Sequence, residues 1–229
     1  MLALHARIFA TSSVRRLVAA AGLSLALLTP LHAQDPHAYE PSLILKLPPY
    51  CKHTMFFADR VPGGNNPDEI QRWKALIGPT FIHMHHYCYG LMATNRAIYS
   101  SPTRADRMHN LGVSIVEFDY VIQRAPPEFG LLPEILANKG ENLILLERGP
   151  EGVGVLQNAI DIKPDYWRPY AIISDYYKDI GAPAKAREWL EKGLSAAPGT
   201  HALTRRLAQL DGEQGKSNRK KSVQAPVER

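Results

Sequence analysis

Two prolines 34 residues apart, Pro164 and Pro198, frame the stretch that most narrows what this chain can fold into. Between them lie two apolar-periodic runs separated by Gly181-Ala182-Pro183. In the first, Tyr170, Ile173, Ser174 and Tyr177 fall at i, i+3, i+4 and i+7, one face of a helix with about 3.6 residues per turn. In the second, Ala186, Trp189, Leu190, Gly193 and Leu194 do the same. Gly181 accepts a left-handed helix end and Pro183 suits a first helical turn, so the two runs read as a helical hairpin. Pro198-Gly199 stops the second helix. Small side chains at Ser174, Ala186 and Gly193 allow close approach, with Tyr170, Tyr177 and Leu190 filling the space around them. One such hairpin cannot bury its apolar face alone, so it requires stacked neighbours.

A neighbour precedes it in the same register. Leu136, Lys139, Gly140 and Leu143, then Gly152, Leu156 and Pro164, repeat the spacing one unit earlier, and Ala159 stands where Gly193 stands later. Lys139 departs from the pattern, since an apolar residue is expected there. Gly152 is a second departure, because glycine weakens a helix by up to about 1 kcal/mol relative to alanine. Over Pro133–Pro198 this spacing resembles the tetratricopeptide repeat. The resemblance implies a short all-α solenoid of stacked helical hairpins whose first helices line a concave groove for a protein or peptide partner. Carried onto this chain, the groove residues are Glu134, Glu141, Ile144 and Leu145 in the earlier unit, and Arg168, Asp175, Lys178 and Asp179 in the later one. The Lys/Asn clamp of chaperone-tail binders is not matched.

The ends differ from the body. Residues 1–33 carry Arg7, Arg15 and Arg16 and no acid, run apolar from Leu17 to Leu28, and close with Ala33. This reads as a secretory signal peptide cut near Ala33, giving an exported, periplasmic or secreted chain; the apolar run is too short to span a bilayer. Residues 213–229, with Lys216, Arg219, Lys220 and Lys221, read as a disordered basic tail. The formal charge of +5 belongs to these two ends, leaving residues 34–212 at −1. A near-neutral body argues against nucleic-acid binding, which relies on a basic face. No further stretch is apolar enough for a transmembrane segment.

Residues 34–66 are rich in proline and glycine and read as an extended segment with one apolar strip, Leu43-Ile44-Leu45. Asn66 reads as an N-cap, with Pro67 at the first turn and Asp68 and Glu69 favouring its positive end, for a helix to about Ile77. Helices are expected at about Thr80–Tyr99 and Thr103–Arg124. The second contains Ser114, Phe118 and Pro126 at the spacing of the back half of the repeat, so residues 67–130 read as a helical region with a degenerate first repeat. Residues 131–212 then hold two full repeats and a capping helix over Thr200–Leu210, with Leu203, Leu207 and Leu210 inward and Arg205 and Arg206 outward.

Cys51 and Cys88 are the two cysteines, and an even count in an exported chain is compatible with a disulfide. The bridge would pin the proline-rich segment to the first helical pair. Nearby, His83, His85 and His86 crowd one helix. His83 and His86, at i and i+3, are the residues a metal ion would use, yet no CxxC, HExxH or CxxCH spacing occurs, so no cofactor is expected. Asn95 and Arg96 on the same helix are candidates for polar contacts to a ligand or to the proline-rich segment. No nucleophile motif, phosphate loop or dinucleotide fingerprint is present, and the chain is not expected to be an enzyme.

The expectation is therefore a non-enzymatic exported adaptor or scaffold that binds a partner in its groove. Two alternatives stay open: a periplasmic metal- or small-ligand-binding protein using residues 82–88, and a structural subunit whose groove is filled by its own residues 34–66.

Overall fold

A computed structural model describes residues 40–224, with side chains to residue 212. The signal peptide expected over 1–33 and the end of the tail lie outside the described residues. Within them the chain is all-α and no strand occurs. The helices are α1 (Pro41–Ile44), α2 (Pro67–Ile77), α3 (Met84–Tyr99), α4 (Arg104–Ile122), α5 (Leu132–Leu145), α6 (Gly149–Ile162), α7 (Trp167–Asp179), α8 (Pro183–Ala196) and α9 (His201–Gln224). Two short 3-10 helices, Pro49–His53 and Pro79–His83, complete the N-terminal part.

From α3 onward the helices pack in adjacent pairs, α3 with α4, α5 with α6 and α7 with α8, and α9 packs on α8. α7 also touches α5 and α9, so first helices of successive pairs meet side by side. The cause is visible at the crossings. A Cβ on Gly152 would stand 2.6 Å from the Gly140 carbonyl oxygen, and one on Gly140 2.6 Å from Leu156 Cγ. Ser174 and Ala186, buried at the corresponding places, set the α7–α8 crossing. The departure at Gly152 is thus a packing requirement that outweighs its helix propensity.

The α3–α4 pair has the same kind of crossing in a longer hairpin. A Cβ on Gly90 would lie 2.4 Å from the Phe118 ring, as Gly140 lies against Leu156. Gly90 and Ser114 are 24 residues apart, whereas Gly140 and Gly152 are 12 apart. The additional residues lengthen both helices toward their connection, which is why the front half falls out of the expected register. The second departure also has a partner: Lys139 Nζ meets Asp119 Oδ1 of α4 at 2.5 Å.

Residues 40–66 are not extended. Pro41 and Pro49 each start a short helix, where the missing N–H costs nothing. Leu43, Ile44, Leu47, Tyr50 and Phe57 turn inward and join one apolar cluster with Met84, Tyr87, Met92 and Phe118. Leu45, expected in the apolar strip, stays 87% exposed because it faces away on the same turn. Asn66 caps α2 as its sequence position predicts, accepting from the backbone N–H of Asp68 and Glu69. At the other end, Leu203 and Leu210 are buried under α9, and that helix continues to Gln224 through the stretch expected to be a disordered basic tail.

Candidate functional site

The first helices α3, α5, α7 and α9 carry linked side chains across their shared face. Tyr87 on α3 donates to Glu134 Oε1 at 2.7 Å and accepts from Asn138 Nδ2 at 2.6 Å, both on α5. Asn138 Oδ1 accepts from Arg168 Nη1 on α7 at 2.7 Å. Arg168 Nη2 also donates to Glu141 Oε2 on α5 at 2.5 Å. Farther along, Arg206 on α9 reaches back to Asp175 on α7 at 3.0 Å. Arg206 therefore does not face outward as expected. A carboxylate one helix away holds it.

Burial decides the protonation of this network. The Tyr87 phenol is pushed well above its ordinary pKa by burial and then by the Glu134 carboxylate, so it stays a proton donor. A protonated phenol can satisfy Glu134 and receive Asn138 at once. Charge-assisted bonds at Arg168 add directionality between α5 and α7.

Behind this face Asn142, 1% exposed, donates from one amide group to Thr94 Oγ1 on α3 at 2.6 Å and to Ser114 Oγ on α4 at 2.7 Å. The two hydroxyls in turn donate to the carbonyls of Gly90 and Leu111. Every hydroxyl and the amide NH2 thereby has a partner, the condition under which a buried polar network specifies one packing.

The eight groove residues expected from the sequence divide into two sets. Glu134, Glu141, Arg168 and Asp175 are engaged with neighbouring helices. Ile144, Leu145 and Asp179 line a cavity of about 480 Å³ with Tyr176, Gly149 and Ile180, at the α5–α6 and α7–α8 turns, and Lys178 is exposed beside it. Tyr87, Asn138 and Arg206 complete the first-helix face, with Asn142 buried behind it, and none of the four was among the expected groove residues. A polar Asn142 inside an otherwise apolar helical stripe was the signal for one of them.

The histidines are placed differently. His86 Nδ1 meets Glu117 Oε2 at 2.6 Å and its ring stacks on Tyr120, centroids 3.5 Å apart. His83 meets the same tyrosine edge-on, and Arg124 packs over it at 3.6 Å. His85 turns toward the N-terminal segment: its Nδ1 bonds the Ile82 carbonyl at 3.0 Å and its ring meets Phe56 edge-on. Burial, then the neighbouring His86, lowers the His85 pKa to about 4. His83 is lowered as well, by burial first and then by Arg124 and His86. Among the described residues no three His, Cys, Asp or Glu side chains are grouped to hold a metal ion.

Cys51 and Cys88 stand at disulfide distance with Cα atoms 5.6 Å apart, compatible with the expected bridge. Arg96, 1% exposed, binds Glu40 Oε1 at 2.7 Å, so it meets the proline-rich segment. Among the described residues no helix is long and apolar enough to cross a membrane. Compared with models of known protein families and with curated protein sequences, the chain matches none.

Proposed function

We propose that this chain is a non-enzymatic, exported helical-repeat scaffold of the tetratricopeptide kind, holding a segment of a partner protein along its first-helix face. The carrying observation is the lateral linkage of that face: side-chain bonds join α3 to α5 and α5 to α7 through Tyr87, Asn138 and Arg168. A surface locked in this way is preorganised, and a bound segment then loses less free energy to ordering. Matched close crossings at Gly140–Gly152 and Ser174–Ala186, with Gly90 against Phe118 before them, support the repeat reading. The basic-then-apolar leader and the paired cysteines support export. Partner contacts are assigned to Ile144, Leu145, Lys178 and Asp179, with the Arg168–Glu141 pair as a fixed polar element beside them.

The self-occupied reading is favoured at α3, and Tyr50 of the proline-rich segment shares an apolar cluster with Leu132 and Ile135 of α5. Glu40 reaches Arg96 on α3, and the Lys46 ammonium lies 4.5 Å from the Tyr99 ring centroid.

The test is position-specific photo-crosslinking in the cells that make the protein. A photoreactive residue at Lys178 should yield a discrete adduct that one at Val116, 68% exposed on α4, does not. Equal labelling from both positions, or none from Lys178, would remove the first-helix face as the partner site.

A further inference from the structure

A second concavity lies at the opposite end of the described chain, away from the first-helix linkage. Its volume is about 580 Å³, within the range of small-molecule sites. Three elements build it: the turn after the Pro49–His53 helix, α2, and the Pro79–His83 helix. The walls come from Met55, Ile70, Phe81 and Ile82; among the described residues Lys74 is the charged lining residue and His53 the buried polar one.

This concavity is a fixed structure. His53 is 3% exposed, and its Nδ1 bonds the Gly64 carbonyl at 2.7 Å. Gly64 has no room for a side chain, since a Cβ there would stand 2.4 Å from the Lys52 carbonyl oxygen. The histidine, the turn and the nearby Cys51–Cys88 pair therefore hold one wall in place. Apolar surface is left open to solvent beside it: Met55 is 46% and Ile82 57% exposed. Leaving such groups in water is unfavourable, and an apolar ligand would relieve it.

The charge of the lining selects the ligand class. Lys74 is exposed and lies in the last turn of α2; among the described residues every other side chain of the lining is apolar except the His53 ring. An aliphatic chain with an anionic end satisfies both features, with its methylenes against Ile70, Phe81 and Ile82 and its head group at the Lys74 ammonium. We infer that this pocket binds a linear aliphatic carboxylate, a site separate from the partner face and independent of that reading.

Calorimetric titration of the full chain, with its disulfide intact, tests this with octanoate and octylamine. Octanoate should bind at one per chain, at least tenfold tighter than octylamine. Each methylene added from hexanoate to octanoate should tighten binding by about fourfold, the ratio that corresponds to about 0.8 kcal/mol per buried CH2. Lys74→Glu lies on an exposed position and should reverse the preference, favouring the amine. Ile70→Trp fills the cavity and should abolish both. Equal binding of acid and amine, an unchanged preference in Lys74→Glu, or no binding of either probe would overturn the inference. Should Ile70→Trp not fold, the charge reversal decides alone.

Discussion

The hairpins α5–α8 and the segment from Glu40 through α3 both contribute to apolar clusters, yet they are held by different means. In α5–α8 the helices meet through small residues at fixed spacing, with Gly140 against Gly152 and Ser174 and Ala186 buried at the matching places. Side-chain volume carries most of that fit. In the N-terminal half the crossing of Gly90 with Phe118 is supplemented by individual bonds: the Cys51–Cys88 pair, the buried Arg96 with Glu40, and His53 on the Gly64 carbonyl. Regular packing tolerates no added atom at its crossings. The N-terminal half instead depends on a few named partners, and removing one should loosen it locally.

The largest effect expected is loss of the cysteine pair. Replacing Cys51 and Cys88 by serine opens a closure spanning 37 residues, which the loop-entropy account values at about 3–4 kcal/mol. Urea denaturation should show this loss, and a variant as stable as the parent would mean that the bridge does not constrain the unfolded chain.

Next come two glycines on one helix that sharpen the contrast. Gly152→Ala puts a Cβ against the Gly140 carbonyl and should cost about 2–3 kcal/mol. Gly154, with nothing within 4 Å of its Cβ position, should gain up to about 1 kcal/mol from the same change. Similar denaturation midpoints for the two variants would show that the crossing is not tight.

The histidine helix adds a pH dependence to the N-terminal half. His85 is lowered to about 4 in the folded chain, against an ordinary value near 6.5. The unfolded chain therefore binds a proton first as pH falls. The neutral ring's contribution is complete above about pH 6.5 and is lost between there and about pH 4, an effect on the order of 2 kcal/mol. His86 and His83 beside it oppose the charge, whereas Glu117 and the Ile82 carbonyl favour it. Comparing the parent with His85→Asn at pH 7.5 and 4.5 isolates this term: the parent should lose more stability on acidification. Equal losses would reassign the acid sensitivity to other groups.

The smallest effect is at Glu40. Glu40→Gln keeps the shape but removes the charge opposite the Arg96 guanidinium, and about 1 kcal/mol should be lost in thermal unfolding.

The two halves were also unequally legible in the sequence. Periodicity located α5–α8 within a few residues because glycine, alanine and leucine at fixed spacing report helix crossings directly. Asn66 gave away the start of α2 through its capping side chain, which accepts from Asp68 and Glu69, and the structure adds Thr103 as the cap of α4, accepting from Asp106. What stayed hidden depends on long-range partners. Tyr87 with Asn138 joins residues 51 apart with no local pattern to mark the pair; for Arg96 the proline-rich segment was one of two expected partners, but not which residue, Glu40, 56 positions away. The outward direction expected for Glu134, Glu141, Arg168 and Asp175 left out the neighbouring first helix, which supplies partners for all four. Prolines at 41 and 49 read as extended backbone because the same residue also starts helices, and the buried apolar residues beside them decide between the two.

Hydrogen–deuterium exchange of the full chain, before and after reduction, tests the contrast between the halves most directly. Reduction should speed exchange in residues 40–66 and in α2 and α3, while amides in α5–α8 keep their protection. Uniform loss of protection through α8, or no change near Cys51 and Cys88, would contradict it.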